Sequence, residues 1–340
     1  MRILFLPIFL FYSLIPLSCT SKLEMSTKIN GVNFVSPPTP ITVEEVSSIQ
    51  SISADWIAIV PYAFTNPRQG QVSFGDNTGH WWGEKPSGVK ALLAHAQKLG
   101  LKVMLKPHLW VQGQGWAGDL SFATVVEWDR WEKDYMSYIL TYARMAALYK
   151  CEMLCIGTEL RHSVKKRPQF WKELIHQVKG IYKGKLTYAA NWDNYTHVPF
   201  WKDLDYIGID AYFPLSSKKD PSPKEIKEVW KPIREDLKMY SKKNNVPILF
   251  TEYGYRSIDY TTKAPWSSVK VAPSLRNDNA QASAYQALYD CFWSEKWFAG
   301  GFLWKWYAKS MIQNRPKPTG YSPQGKKTRE IIQKYYHRTQ

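Results

Sequence analysis

The chain of 340 residues has only four cysteines, Cys19, Cys151, Cys155 and Cys291, too few to staple a chain of this size. Cys151 and Cys155 lie four apart on a predicted strand, roughly 13 Å at an extended rise and beyond disulfide reach. With Cys291 they read as buried thiols. The seven histidines are scattered, so no zinc-type spacing appears and neither metal nor other cofactor is expected. No glycine-rich phosphate loop follows the first predicted strand, which argues against an open nucleotide-binding sheet. Internal repeats, low-complexity tracts and a second domain are missing too. Acidic residues are short, 29 against 45 Lys and Arg, for a net charge of +16. That excess is spread along predicted helices such as Lys224 to Lys243 and Lys326 to Lys334, interleaved with Glu and Asp. It describes solvated faces better than a nucleic-acid stripe, so no nucleic-acid partner is expected.

Long apolar runs are equally scarce. Met1-Arg2 precedes an apolar stretch from Ile3 to Leu17, too short for a stable spanning helix and of the form of a secretory signal. Pro16-Leu17-Ser18-Cys19 resembles a bacterial lipoprotein signal in which Cys19 is acylated. Pro16 departs from the usual Leu, which leaves ordinary cleavage nearby as the alternative. We expect residues 1–19 to be a signal peptide, 20–28 a short linker and 29–340 a single folded domain. The protein is then exported, either held at a membrane only through its lipid or secreted.

Aromatic residues are plentiful, with 16 Trp and 21 Tyr. Trp is awkward to bury without a partner for its N–H, so this surplus suggests stacking surfaces as well as core.

Apolar, β-branched runs of the kind buried on both faces recur along the chain. They are Ile29 to Val35, Asp55 to Tyr62, Leu101 to Leu109, Cys151 to Glu159, Lys185 to Asn191, Leu204 to Tyr212, Val246 to Tyr253 and Phe298 to Trp306. Helical spacings of three and four separate many of them: Pro86 to Leu99, Trp128 to Tyr149, Gln169 to Tyr182, Pro223 to Lys242 and Asn279 to Glu295. Eight strands with helical crossovers imply an α/β fold, a single (β/α)8 barrel. Long insertions from Thr65 to Lys85 and from Ser257 to Arg276 follow strand ends, where barrel sites are built.

Two glutamates end predicted strands four and seven, in Cys155-Ile156-Gly157-Thr158-Glu159 and Leu249-Phe250-Thr251-Glu252. An acid closing an apolar strand is unfavourable unless paired or working. Strands three apart in a ring of eight nearly face each other, so these carboxyls are placed to flank one scissile bond. A structural pair bonded to Lys or Arg is the alternative. Glycosidic cleavage needs one anionic carboxylate and one protonated carboxyl, and mutual repulsion supplies the difference.

The arrangement resembles clan A of the glycoside hydrolases, whose acid/base ends strand four and nucleophile strand seven. More narrowly, Cys-Ile-Gly-Thr-Glu-Leu at 155–160, Tyr-Ile-Gly-Ile-Asp-Ala-Tyr at 206–212 and Phe-Thr-Glu-Tyr-Gly-Tyr at 250–255 look like glycoside hydrolase family 113. The resemblance covers roughly Asn30 to Tyr307. It implies a retaining enzyme for β-1,4-mannan, with Glu159 as acid/base and Glu252 as nucleophile. It further implies that Tyr212 bonds the nucleophile and that Trp304 lies under the cleaved sugar. Most of clan A has Asn before the acid/base to meet the sugar 2-hydroxyl; Thr158 stands there, so that partner is unassigned. Lys106, His108 and Trp110 near strand three, Asn191 and Trp192 at strand five, and Asp210 on strand six are further substrate-binding candidates, with barrel packing as their alternative. The Trp81-Trp82 pair suits either a sugar subsite or a loop anchor. Another β-glycan, such as glucan or galactan, and a non-catalytic glycan-binding lipoprotein are the competing readings; the second has no need for two strand-end carboxylates.

Overall fold

The computed structural model describes residues 27–339 apart from 114, 315 and 316. Cys19, the signal segment and most of the expected linker lie outside them. Eight parallel strands close into a barrel: β1 (Ile29–Phe34), β2 (Trp56–Ile59), β3 (Lys102–Leu105), β4 (Met153–Thr158), β5 (Lys185–Asn191), β6 (Tyr206–Asp210), β7 (Ile248–Tyr253) and β8 (Phe298–Trp306). Closure comes from β1, which pairs with both β2 and β8. The expected (β/α)8 barrel is the observed fold. Lys28, read as the last linker residue, already belongs to it, donating to the Glu295 and Phe298 carbonyls at 2.6 and 2.5 Å.

Two apolar layers hold the barrel. Inside it, Trp56, Met104, Met153, Cys155, Leu249 and Phe302 pack as one cluster. Gly31 makes room there, since a Cβ at that position would lie 2.3 Å from the Phe302 ring. A larger cluster fills the space between strands and helices. Cys151, Cys155 and Cys291 are free and buried, as their spacing implies.

The longer helices are α1 (Pro86–Lys98), α2 (Val125–Leu148), α3 (Pro168–Ile181), α4 (Pro223–Asn244), α5 (Asp278–Phe292) and, at the C-terminal end, α6 (Thr328–Arg338); Val43–Ser47, Arg161–Lys166 and Lys309–Asn314 are short helical turns among the described residues. Helix α2 begins three residues before the expected Trp128. Thr124 caps it, accepting from the Glu127 N–H at 3.2 Å while Glu127 reaches back to the Thr124 N–H at 2.9 Å, a reciprocal pairing that favours an early start. Its buried face carries Trp128, Trp131, Tyr135, Tyr138 and Tyr142.

The third strand differs from the expected Leu101 to Leu109 in an informative way. Pro107 has no N–H to continue the ladder, so β3 stops at Leu105, and His108–Val111 forms a separate strand above the barrel. Pro61 divides the second strand similarly. The two continuations, Tyr62–Asn66 and His108–Val111, pair in parallel, and Gln71–Ser73 completes a three-stranded sheet at the mouth. This small sheet carries His108 and Trp110 over the C-terminal ends of the barrel strands.

Candidate active site

Glu252 closes β7 and is 6% exposed. Its Oε1 accepts from Lys106 Nζ at 2.5 Å and its Oε2 from the Tyr212 hydroxyl at 2.7 Å. His108 Nε2 lies 3.7 Å from the same Oε1. One rotamer is thereby fixed from two sides. Lys106 is fully buried and also bonds Asp210 Oδ1 at 3.2 Å, and Asp210 in turn accepts from the Thr251 hydroxyl at 2.7 Å. Burial alone would lower the Lys106 ammonium, but the charges of Asp210 and Glu252 outweigh it and push the group up, so it stays protonated. Burial also raises the Tyr212 phenol, helped by Glu252, which keeps it a neutral donor. His108 goes the other way: burial and the charges of Lys106 and Lys305 hold it well below the usual imidazole range, hence neutral.

Glu159 sits just past β4 with φ +55°, a left-handed conformation unfavourable for a residue with a Cβ. Its N–H donates to the Ala189 carbonyl at 2.8 Å and its carbonyl accepts from the Arg161 N–H at 2.9 Å, so both neighbours hold the turn. Burial first, then the charges of Asp210 and Glu252, push its carboxyl up to about 8. The Trp116 indole N–H, at 2.5 Å from Oε2, works against that rise. The two glutamates therefore differ in kind: one is an ion pair member, the other a carboxyl that keeps its proton near neutral pH.

A cavity of about 850 Å³ is lined in part by Tyr62, Trp81, Trp110, Trp304, Lys305 and Tyr307; neither glutamate lines it, and it adjoins the Glu252 side through Trp304 and His108. Trp304 stacks parallel to His108, ring centres 6.1 Å apart at 3°, and its peptide bond to Lys305 is cis. A smaller pocket of about 490 Å³ beside Trp306, Lys326 and Arg329 holds none of these groups.

The structure sorts the candidates into three sets. Lys106, His108, Asp210 and Tyr212 gather around Glu252. Of these, Lys106 and Asp210 are fully buried and line no part of the cavity, which places them behind the carboxylate; Asp210 Oδ1 accepts from Lys106 and Thr251, while its Oδ2 has no hydrogen-bond partner among the described residues. Trp110, 60% exposed, and Trp304 face the cavity. Asn191 and Trp192 stand apart at the end of β5: the Asn191 amide donates to Asp193 at 2.9 Å, and Trp192 stacks on Trp266 with ring centres 5.3 Å apart. Thr158 keeps a buried hydroxyl with no hydrogen-bond partner among the described residues. Trp81 lines the cavity, half-exposed, whereas Trp82 packs against the core.

Sequence reasoning missed Thr251, Lys305 and Trp116. Thr251 was legible as the polar neighbour of Glu252 on its strand. Trp116 lies in a glycine-rich loop after β3, where neither period nor strand end points to it; the only cue was an indole in a polar segment.

Two carboxyls at the ends of strands four and seven, one ion-paired and the other raised by burial, at the C-terminal mouth of a (β/α)8 barrel with aromatic rings on the Glu252 side are the arrangement of a glycoside hydrolase. The sequence profile of Glycoside Hydrolase Family 113 matches residues 38–326, and the chain belongs to that family. Its structure is similar to the family 113 β-mannanase AaManA from Alicyclobacillus acidocaldarius in complex with ManMIm, with a TM-score of 0.80 and 23% identity over 94% of this chain and 100% of that one. A second family 113 β-1,4-mannanase gives 0.78 and 24% over 92% and 99%. A Ruminococcus gnavus β-glucuronidase gives 0.60 and 14%, covering 91% of this chain but 50% of its own. At such identities the likeness is one of fold. No curated protein sequence matches the chain.

Proposed function

We propose that the protein is a retaining hydrolase of β-1,4-mannosidic bonds in mannan or manno-oligosaccharides, acting by double displacement. The observation that carries this reading is the asymmetry of the two carboxyls. Glu252 has a cation and a phenol on its two oxygens, whereas burial and neighbouring charge raise Glu159 to about 8. An anionic nucleophile and a protonated acid are what the first step requires.

A Glu252 oxygen attacks the anomeric carbon as the glycosidic C–O bond breaks, and Glu159 gives its proton to the departing oxygen. The glycosyl ester has no charge on Glu252, and Glu159 is now a carboxylate. It takes a proton from water as the water oxygen attacks the anomeric carbon, and Glu252 departs as carboxylate. Lys106 and Asp210 hold Glu252 in place throughout. Trp304 offers an indole face to the apolar C–H face of the sugar, with Trp110 at the rim; Asn191 and Trp192, outside the cavity at the end of β5, are proposed only as more distant sugar contacts. The mannan preference rests on family membership and on the mannanases among its structural relatives.

Glu159→Ala tests the mechanism. It should slow natural oligosaccharides by several orders of magnitude, spare the first step for aryl glycosides whose phenolate needs no proton, and regain turnover in azide as a β-glycosyl azide. Glu252→Ala should form no covalent intermediate with any substrate. An inverted first product seen by NMR would refute double displacement. Faster cleavage of gluco- or galacto-oligosaccharides than of mannan would refute the substrate. We further propose lipid attachment at Cys19, supported by the signal-like segment before it; a fatty-acid probe that labels Cys19→Ser as well as wild type would refute it.

A further inference from the structure

Trp116, Gly118 and Asp119 from the loop after β3 meet Arg161 from the turn after Glu159. The Trp116 N–H donates to Oε2 of Glu159 at 2.5 Å. The Arg161 guanidinium lies 4.4 Å from the Trp116 ring centre, and its Nη2 donates to Asp119 Oδ1 at 2.5 Å. Gly118 borders the same ring so closely that a Cβ there would fall 2.5 Å from it. The indole is thus gripped between its own loop and a cation two residues beyond Glu159.

We propose that Trp116 is a positioning residue that assigns the proton of Glu159 to Oε1, with Arg161, Asp119 and Gly118 holding the indole in the plane this needs. This rests on Glu159 being the acid/base. The chemistry is that of donor count. An indole nitrogen has a hydrogen and no acceptor, so it favours the carbonyl oxygen, the stronger acceptor of the carboxyl, on the side facing it and the proton on the other. Without that contact either oxygen carries the proton, and half of the acid population points it away from the leaving group. After the proton is given up, the same bond persists to the carboxylate, so Oε1 is also the oxygen presented to water in the second step. One contact orients both halves of the reaction. The exposed Arg161–Asp119 pair adds little stability alone; stacked on the indole, its effect is to restrict tilt.

The decisive variants are Trp116→Phe, which keeps a ring and loses the donor, and Gly118→Ala, which keeps the donor and displaces the ring. Glu159→Gln serves as the reference. For Trp116→Phe, kcat/KM on natural oligosaccharides should fall about 10- to 100-fold, the scale of one charge-assisted hydrogen bond. On aryl glycosides with activated leaving groups kcat/KM should stay within about twofold, because that first step needs no acid. The basic limb of the pH profile should move to higher pH, since a donor that favoured the ionised form is gone. Gly118→Ala should discriminate between the two substrates in the same sense. Should Trp116→Phe lower both substrates alike through KM, with an unmoved pH profile, the indole is a sugar platform and the inference fails. A Trp116→Phe profile equal to wild type sinks it as well. If Glu159→Gln itself does not discriminate between the substrates, the acid/base assignment fails together with this inference; if it does and Trp116→Phe does not, only the inference fails.

Discussion

The two strand-end carboxyls proposed to do the chemistry are held by different means. Glu252 is embedded in barrel: its partners Lys106 and Tyr212 come from or just beyond β3 and β6, and Asp210 and Thr251 brace Lys106 from behind. Glu159 is held by loop: a left-handed backbone, an indole from the segment after β3, and a half-exposed Arg161. The difference matches the work. A nucleophile must stay anionic and in line, which rigid strands and buried charge provide. The proposed acid/base must change its charge twice per cycle, which a site with no cation paired directly to it tolerates better than a closed ion network.

The comparison breaks most sharply at Lys106. In Lys106→Met both Asp210 and Glu252 lose the one cation buried between them, and removing one side of such a pair costs about 3–5 kcal/mol. Urea denaturation at pH 7 should show that loss, with activity falling by orders of magnitude. A stability loss under about 1 kcal/mol would mean the network is not what holds Glu252.

Tyr212→Phe is gentler, because it removes one donor and leaves the ion pair intact. kcat/KM should fall about 10- to 100-fold, and equally for natural and activated substrates, since the nucleophile acts on both. Variants on the Glu159 side should separate those substrates. If Tyr212→Phe also separates them, the two sides are not independent.

The same contrast explains what was legible beforehand. Strands buried on both faces read as short apolar runs that end at recognisable places, so Glu159, Glu252, Tyr212 and all eight strands stood out from the residues or their resemblance. The fates of Lys106 and Asp210 did not: a strand-end polar residue faces ligand or neighbour according to barrel register, which pairs Asp210 with Glu252 and is not visible in one strand alone. The division of strands two and three at Pro61 and Pro107 was present in the residues, but apolar continuity through each proline masked it. Trp116 was hidden because loop geometry depends on distant groups, here Arg161 across the mouth.

The smallest expected effect runs against intuition, because the proposed acid/base is replaced and stability rises. Glu159 is raised from 4.5 to about 8 by burial and by Asp210 and Glu252. The folded protein therefore binds a proton at Glu159 that the unfolded chain has already released between about pH 4.5 and 8, and folding stability must fall as pH climbs through that window. Below it the contribution is nil, because both states are protonated; above about 8 the loss is complete, because the folded protein holds a buried charge. Glu159→Gln removes the titration while keeping a carbonyl oxygen for the Trp116 N–H. It should match wild type near pH 5 and exceed it by about 1–2 kcal/mol at pH 9. That figure is kept below the full shift because Asp210, raised to about 7 by burial and Glu252, competes for the same proton. Urea titrations of both proteins at the two pH values would show this. Parallel stability curves would mean that Glu159 is ionised in the folded protein at neutral pH, and the acid half of the mechanism would lose its proton source. The wild-type kcat/KM should instead hold through that window and decline as pH rises through about 8, where the folded protein gives up the proton needed by the leaving group.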